Sequence, residues 1–164
     1  MQGKAKRRIK RTLIGLVTFY ITSGAVLYLI QDLLFFHPKK LPATHRFQFN
    51  QPFTEVNIPI DNRNLNVVQF HAATPHRKGI VLYFHGNMRN IERYANQAPI
   101  FTNNGYDVWM IDYPGFGTST GKRNEEVMYN DAQVLYGMAL KETPADSLVI
   151  YGRSIGTGVA SYLA

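Results

Sequence analysis

Residues 148–164 read LVIYGRSIGTGVASYLA. Residues 148–151 form a short apolar run of strand type, and residues 157–164 form a helix-like run of small residues. Between them, Gly152-x-Ser154-x-Gly156 fits the sharp strand-to-helix turn that displays a nucleophilic serine. Such a turn is so tight that the positions two before and two after the serine must lack side chains. It lifts the Ser154 hydroxyl clear of the sheet, and the helix N-terminus behind it favours developing negative charge. Two nucleotide-binding readings fit worse. No Lys follows the glycines, as a P-loop requires, and Gly156-Thr157-Gly158 begins several residues beyond the strand with no acidic residue after it.

Upstream, strand and helix patterns alternate. Residues 55–60 (EVNIPI) and 65–71 (LNVVQFH), joined by residues 61–64, predict an antiparallel hairpin. Residues 79–84 (GIVLYF) are a continuous apolar run, as in a strand buried on both faces. One helix is expected from near Asn90 to just before Asn103-Asn104-Gly105, followed by a strand at 106–111 (YDVWMI) and a glycine-rich loop at 112–121. A second helix runs from near Asn124 to about Lys141, with Met128, Ala132, Leu135 and Ala139 stepping by helical spacing along one buried face. Strands separated by helices predict an α/β fold with a mostly parallel sheet and flanking helices.

The run at 79–84 ends in His85-Gly86-Asn87. In a fold with a serine turn of this kind, the loop after that strand supplies one backbone N–H of the oxyanion hole. The residue after the nucleophile supplies the other. Asn87 N–H and Ile155 N–H are therefore assigned that role. His85 and Asp112 both precede Ser154, whereas the triad order in such folds is Ser, acid, His. His85, with Gly86, is read as bracing the oxyanion loop, and Asp112 as shaping its own loop.

YFHGN (83–87), DYPGFGTSTG (112–121) and YGRSIGTG (151–158), in this order and spacing, resemble the α/β-hydrolase superfamily. More narrowly, the chain is similar to its membrane-anchored branch, the ABHD serine hydrolases and their bacterial serine-aminopeptidase-like cousins. QDLLFFHP (31–38) is similar to a Q-x-x-L-x-x-x-P stretch of that branch, so the resemblance covers about residues 31–164. It implies an esterase, lipase or thioesterase that forms an acyl-enzyme on its serine and takes an acyl ester or thioester substrate. Pro114 stands where many relatives carry Arg, and Met88 where a small residue is common; both bear on the pocket mouth. The branch places its triad carboxylate and histidine downstream of the serine turn, and residues 155–164 contain no Asp, Glu or His. The expectation is therefore the N-terminal part of an α/β-hydrolase, a fragment without triad acid and His and nearly inactive by itself. The alternative is a non-catalytic, membrane-anchored interaction module derived from a hydrolase.

Composition settles the surroundings. The chain has 164 residues, no Cys, and 18 Lys+Arg against 11 Asp+Glu, a formal charge of +7. The absence of Cys excludes disulfide scaffolds, thiolate zinc sites and thiol nucleophiles. Six of the basic residues (Lys4, Lys6, Arg7, Arg8, Lys10, Arg11) fall in residues 1–11, and the remainder of the chain is nearly neutral, which argues against nucleic acid as a partner. Residues 12–30 carry no charge and would make a helix of about 28 Å, close to the hydrocarbon thickness of a bilayer. Ser23-Gly24-Ala25 permits a cleavable signal peptide, but cleavage there leaves an apolar N-terminus. A buried soluble helix would need an apolar stripe that is not evident.

The expected organisation is a basic cytoplasmic tail (1–11), a transmembrane signal anchor (12–36), a connector (37–52) and a truncated hydrolase domain (53–164). The positive-inside rule places that domain on the far side of the membrane, periplasmic in a bacterium. His37, His45, His71 and His76 lack metal-ligand spacing, and serine chemistry implies neither metal nor cofactor.

Overall fold

The computed structural model describes residues 2–164, which form two compact units divided between Phe36 and His37. The first unit is one helix, α1 (Gln2–Phe35). This helix runs through the expected boundary between tail and span at 11/12, because Lys and Arg are good helix formers and nothing in the tail breaks it. Its apolar side chains, among them Phe19, Leu29 and Leu33, are exposed, and the helix is long and apolar enough to cross a bilayer. The Thr22 hydroxyl donates to the Thr18 carbonyl at 2.8 Å, which satisfies this polar group within the helix.

The second unit is built on five strands: β1 (Phe53–Ile60), β2 (Arg63–Phe70), β3 (Gly79–Phe84), β4 (Tyr106–Ile111) and β5 (Leu148–Gly152). Their spatial order is β1-β2-β4-β3-β5. β1–β2 and β2–β4 pair antiparallel, while β4–β3 and β3–β5 pair parallel. The hairpin turn is tighter than expected: Ile60 pairs with Arg63, and Asp61 adopts φ 51°, a conformation that Asp tolerates. Every residue of β3 is buried, as its unbroken apolar run predicts. In register, Phe84 pairs with Ile111 on one side and Gly152 on the other. The C-terminal ends of the three parallel strands are therefore level, and His85, Asp112 and Arg153-Ser154 leave the sheet side by side.

The single helix expected over 90–102 is instead two short ones, α2 (Ile91–Tyr94) and α3 (Pro99–Thr102), with a 3₁₀ turn between them. Pro99 cannot donate within a continuous helix, so it starts a new one. α4 (Glu125–Ala139) is capped by Asn124, whose side chain accepts the Val127 N–H at 2.7 Å. Met128, Ala132, Leu135 and Ala139 are buried as expected, and so is Asp131, which meets Arg63 at 2.6 Å. Burial raises the Asp131 carboxyl above its usual range, with Arg63 opposing.

Residues 37–52, expected as a connector, are tied to the second unit by packing and backbone pairing. Phe47 is buried against Phe49, and Phe49 packs on Phe53 and Phe70. His37 and Pro38 pair in parallel with Met88 and Arg89, and Leu41 N–H donates to Gly117 O at 2.7 Å. The segment thus straps the loops that follow β3 and β4. Glu92 pins it through Lys39 at 3.2 Å and His45 at 2.9 Å. Burial alone would raise the Glu92 carboxyl, but these two partners outweigh it and hold the group below its usual value.

Candidate active site

Ser154 lies between the end of β5 and the start of α5 (Gly156–Leu163). It has φ 53°, a region that a non-glycine residue occupies at a cost of about 1–3 kcal/mol. The turn that imposes this angle depends on its glycines. A Cβ on Gly152 would lie 2.6 Å from Thr157 Cα, and one on Gly156 would lie 2.6 Å from the Phe84 carbonyl carbon and 2.8 Å from His85 O. Arg153 N–H donates to Phe84 O at 2.9 Å, which ties the turn to β3. The Ser154 carbonyl accepts from the Thr157 N–H at 2.9 Å and its hydroxyl at 2.6 Å. The Ser154 side chain is exposed, and the neighbouring Ile155 N–H makes no hydrogen bond among the described residues.

Facing this turn is His85-Gly86-Asn87. A Cβ on Gly86 would sit 3.5 Å from Ser154 Cβ, so the two loops are in near contact. His85 is fully buried; its Nδ1 lies 2.7 Å from the Gly86 carbonyl and its Nε2 3.2 Å from Asp112 Oδ1. Because a carbonyl only accepts, Nδ1 carries a proton. The Gly86 C=O and the Asn87 N–H belong to one planar trans peptide, so holding the carbonyl also fixes the direction of that N–H on the opposite edge. The Asn87 carbonyl in turn accepts from His37 N–H at 2.9 Å. With both ring nitrogens engaged, His85 is not poised to take a proton from Ser154.

Asp112 anchors this arrangement from below. Its Oδ1 accepts the Ile91 N–H at 2.9 Å as well as facing His85. Complete burial pushes its carboxyl above the usual range, against the pull of His85 and the Ile91 N–H. Tyr113 donates to His85 O at 2.9 Å, and burial raises its phenol well above the usual value.

The structure therefore brings together Ser154, Ile155, His85, Gly86, Asn87 and both elbow glycines. Sequence reasoning missed Tyr94, whose buried ring stacks on His85 with centroids 5.0 Å apart. No motif marks that residue; only the helix start at Asn90 hinted that the segment returns toward the site. A cleft of about 280 Å³ lined by Phe49, Gln51, Glu92, Ala95 and Pro99 shares no residue with the serine turn. Among the described residues, no three His, Asp or Glu side chains are placed to hold a metal ion.

Residues 75–164 match the family described as serine aminopeptidase, S33. The chain belongs to that family of α/β hydrolases. It is 36% identical to a lysophosphatidylserine lipase, ABHD12, of Danio rerio, an alignment that covers 99% of this chain and 50% of that protein. It is 30% identical to the human protein ABHD12B, over 63% of this chain and 29% of that one. Among solved structures, a soluble variant of monoglyceride lipase from Saccharomyces cerevisiae shares the fold. Its TM-score is 0.59 at 22% identity, covering 73% of this chain and 41% of the lipase. An α/β serine hydrolase homologue from Coxiella burnetii has TM-score 0.58 at 16% identity, covering 73% of this chain and 59% of that one. The hydrolase chain described here thus spans about half or less of the length of the curated relatives named.

Proposed function

We propose that the chain carries the nucleophile and oxyanion hole of a membrane-anchored serine hydrolase of esterase, lipase or thioesterase type. One observation carries this reading: Ser154 is held exposed at φ 53°, beside the unengaged Ile155 N–H and against the Gly86–Asn87 peptide. Ser154 Oγ attacks an acyl carbonyl, and Asn87 N–H and Ile155 N–H receive the oxyanion. The leaving group departs to give an acyl-enzyme, which water then hydrolyses. The proton acceptor is a histidine held by a carboxylate, and neither residue type occurs in positions 155–164. The likeness to a lysophosphatidylserine lipase over 99% of the chain supports a lipid ester as the substrate class.

Turnover of a p-nitrophenyl ester tests this reading. The 164-residue chain should stay near background and should not be labelled stoichiometrically at Ser154 by a fluorophosphonate. A protein that joins this chain to the acid and histidine should turn the ester over and lose about 10³-fold or more with Ser154→Ala. Unchanged turnover in that variant would end the serine-hydrolase reading.

Residues 12–36 are proposed as the membrane anchor, with the basic residues 1–11 cytoplasmic and the domain from residue 53 on the far side. The exposed apolar surface of α1 supports this. The chain should resist alkaline carbonate extraction, and protease added outside spheroplasts or sealed vesicles of matching orientation should digest the domain. Release by carbonate, or a domain digested only after lysis, would overturn the assignment.

A further inference from the structure

We propose that the Tyr94 hydroxyl is a third hydrogen-bond donor to the oxyanion formed when Ser154 is acylated, a step that rests on the function proposed above. A Cβ on Gly86 would lie 2.8 Å from the Tyr94 hydroxyl oxygen and 3.5 Å from Ser154 Cβ. Both groups therefore lie against one point, directly above the residue whose carbonyl orients the Asn87 N–H. Tyr94 is 4% exposed, yet its hydroxyl makes no hydrogen bond among the described residues. Unlike Asp112 Oδ2, that oxygen is not sealed within the protein. Phe would fill the same space without leaving a polar group unsatisfied, so packing alone does not account for the hydroxyl.

The ring is also held in place. Asn90 caps α2 by accepting the Glu92 N–H at 3.1 Å, and Asp112 takes the Ile91 N–H. The Tyr94 ring stacks on His85 at an interplanar angle of 13°, and the Arg153 guanidinium lies 5.5 Å from its centroid. A donor fixed before the reaction needs no reorganisation when charge develops. As the nucleophile bonds to the carbonyl carbon, the π pair moves onto oxygen and Tyr94 O–H donates to it while keeping its own proton. When the leaving group departs with its bonding pair, the carbonyl re-forms and the hydrogen bond weakens.

The chain has no Cys, so Ser154→Cys introduces a single thiol whose thiolate attacks esters at alkaline pH without a general base. Acylation by p-nitrophenyl acetate passes through an oxyanion; alkylation by iodoacetamide does not. The ratio of the two rates therefore reports oxyanion stabilisation independently of thiol access and ionisation. For S154C in the folded chain this ratio should exceed its value in urea by about 10-fold or more; equality would refute the oxyanion hole itself. Adding Tyr94→Phe should lower the ratio about 10-fold with alkylation unchanged. An unchanged ratio would overturn the role of Tyr94 and leave the backbone donors standing. Should Y94F loosen the fold, seen as alkylation rising toward its urea rate, 3-fluorotyrosine at position 94 decides. Read near pH 7, where the fluorinated phenol keeps its proton, the stronger donor raises the ratio if the hydroxyl donates and leaves it unaltered if the ring only packs.

Discussion

Gly156→Ala should cost the second unit about 4 kcal/mol or more of stability, enough to leave much of a marginal domain unfolded. The added methyl would fall on the Phe84 carbonyl and within 2.8 Å of His85 O. Both are backbone atoms, at the end of a strand that is fully buried and paired on both sides. No rotamer change relieves the clash, so α5 must move off β3 or β3 must shift within the sheet. Gly158→Ala, two residues further along the same helix, supplies the contrast. A Cβ there meets nothing within 4 Å, and alanine is the better helix former by about 1 kcal/mol. Denaturant titration of the detergent-solubilised chain should show G158A equal to or more stable than the parent and G156A far below it. Equal midpoints for the two variants would show that the close approach of α5 to β3 is dispensable.

The contrast also marks what a sequence can disclose. Gly152, Ser154 and Gly156 are legible because a tight turn restricts residue types at fixed spacing, and β3 because a strand buried on both faces needs an unbroken apolar run. The buried face of α4 is legible for the same reason, through its helical period. What was not legible depends on long-range pairing. Residues 37–52 carry three prolines and no period, yet their backbone pairs with residues 88–89 and 117, and Phe47 enters the core. Asp131 stands three residues after Met128 on the buried face of α4, but the Arg63 that meets it there lies 68 positions earlier in the chain. Tyr94 comes to lie on His85 through contacts distant in sequence, as Asp112, on another strand end, holds the first residue of its helix.

Asp112→Ala should destabilise the second unit by about 3–5 kcal/mol, whereas Asp112→Asn should lose no more than about 1.5 kcal/mol. Alanine leaves two buried groups, the Ile91 N–H and His85 Nε2, without their shared partner. Asparagine keeps an oxygen for the Ile91 N–H and removes a charge that the site disfavours. The disfavour has a visible cause: Oδ2 is sealed with no partner, packed so closely under Gly117 that no side chain fits there. His85, Glu92 and the Ile91 N–H all act on this carboxyl, and burial prevails, raising its folded pKa above the unfolded one. The sign follows from linkage. The contribution of Asp112 to stability is complete below the ordinary carboxylate pKa of about 3.9 and is lost as pH rises through the raised folded value. The advantage of the parent over D112N should therefore be largest below about pH 4 and shrink as pH rises. An advantage that grows with pH would mean that Asp112 acts as a paired anion, and that His85 is held beneath Gly86 by charge instead of by a shared proton.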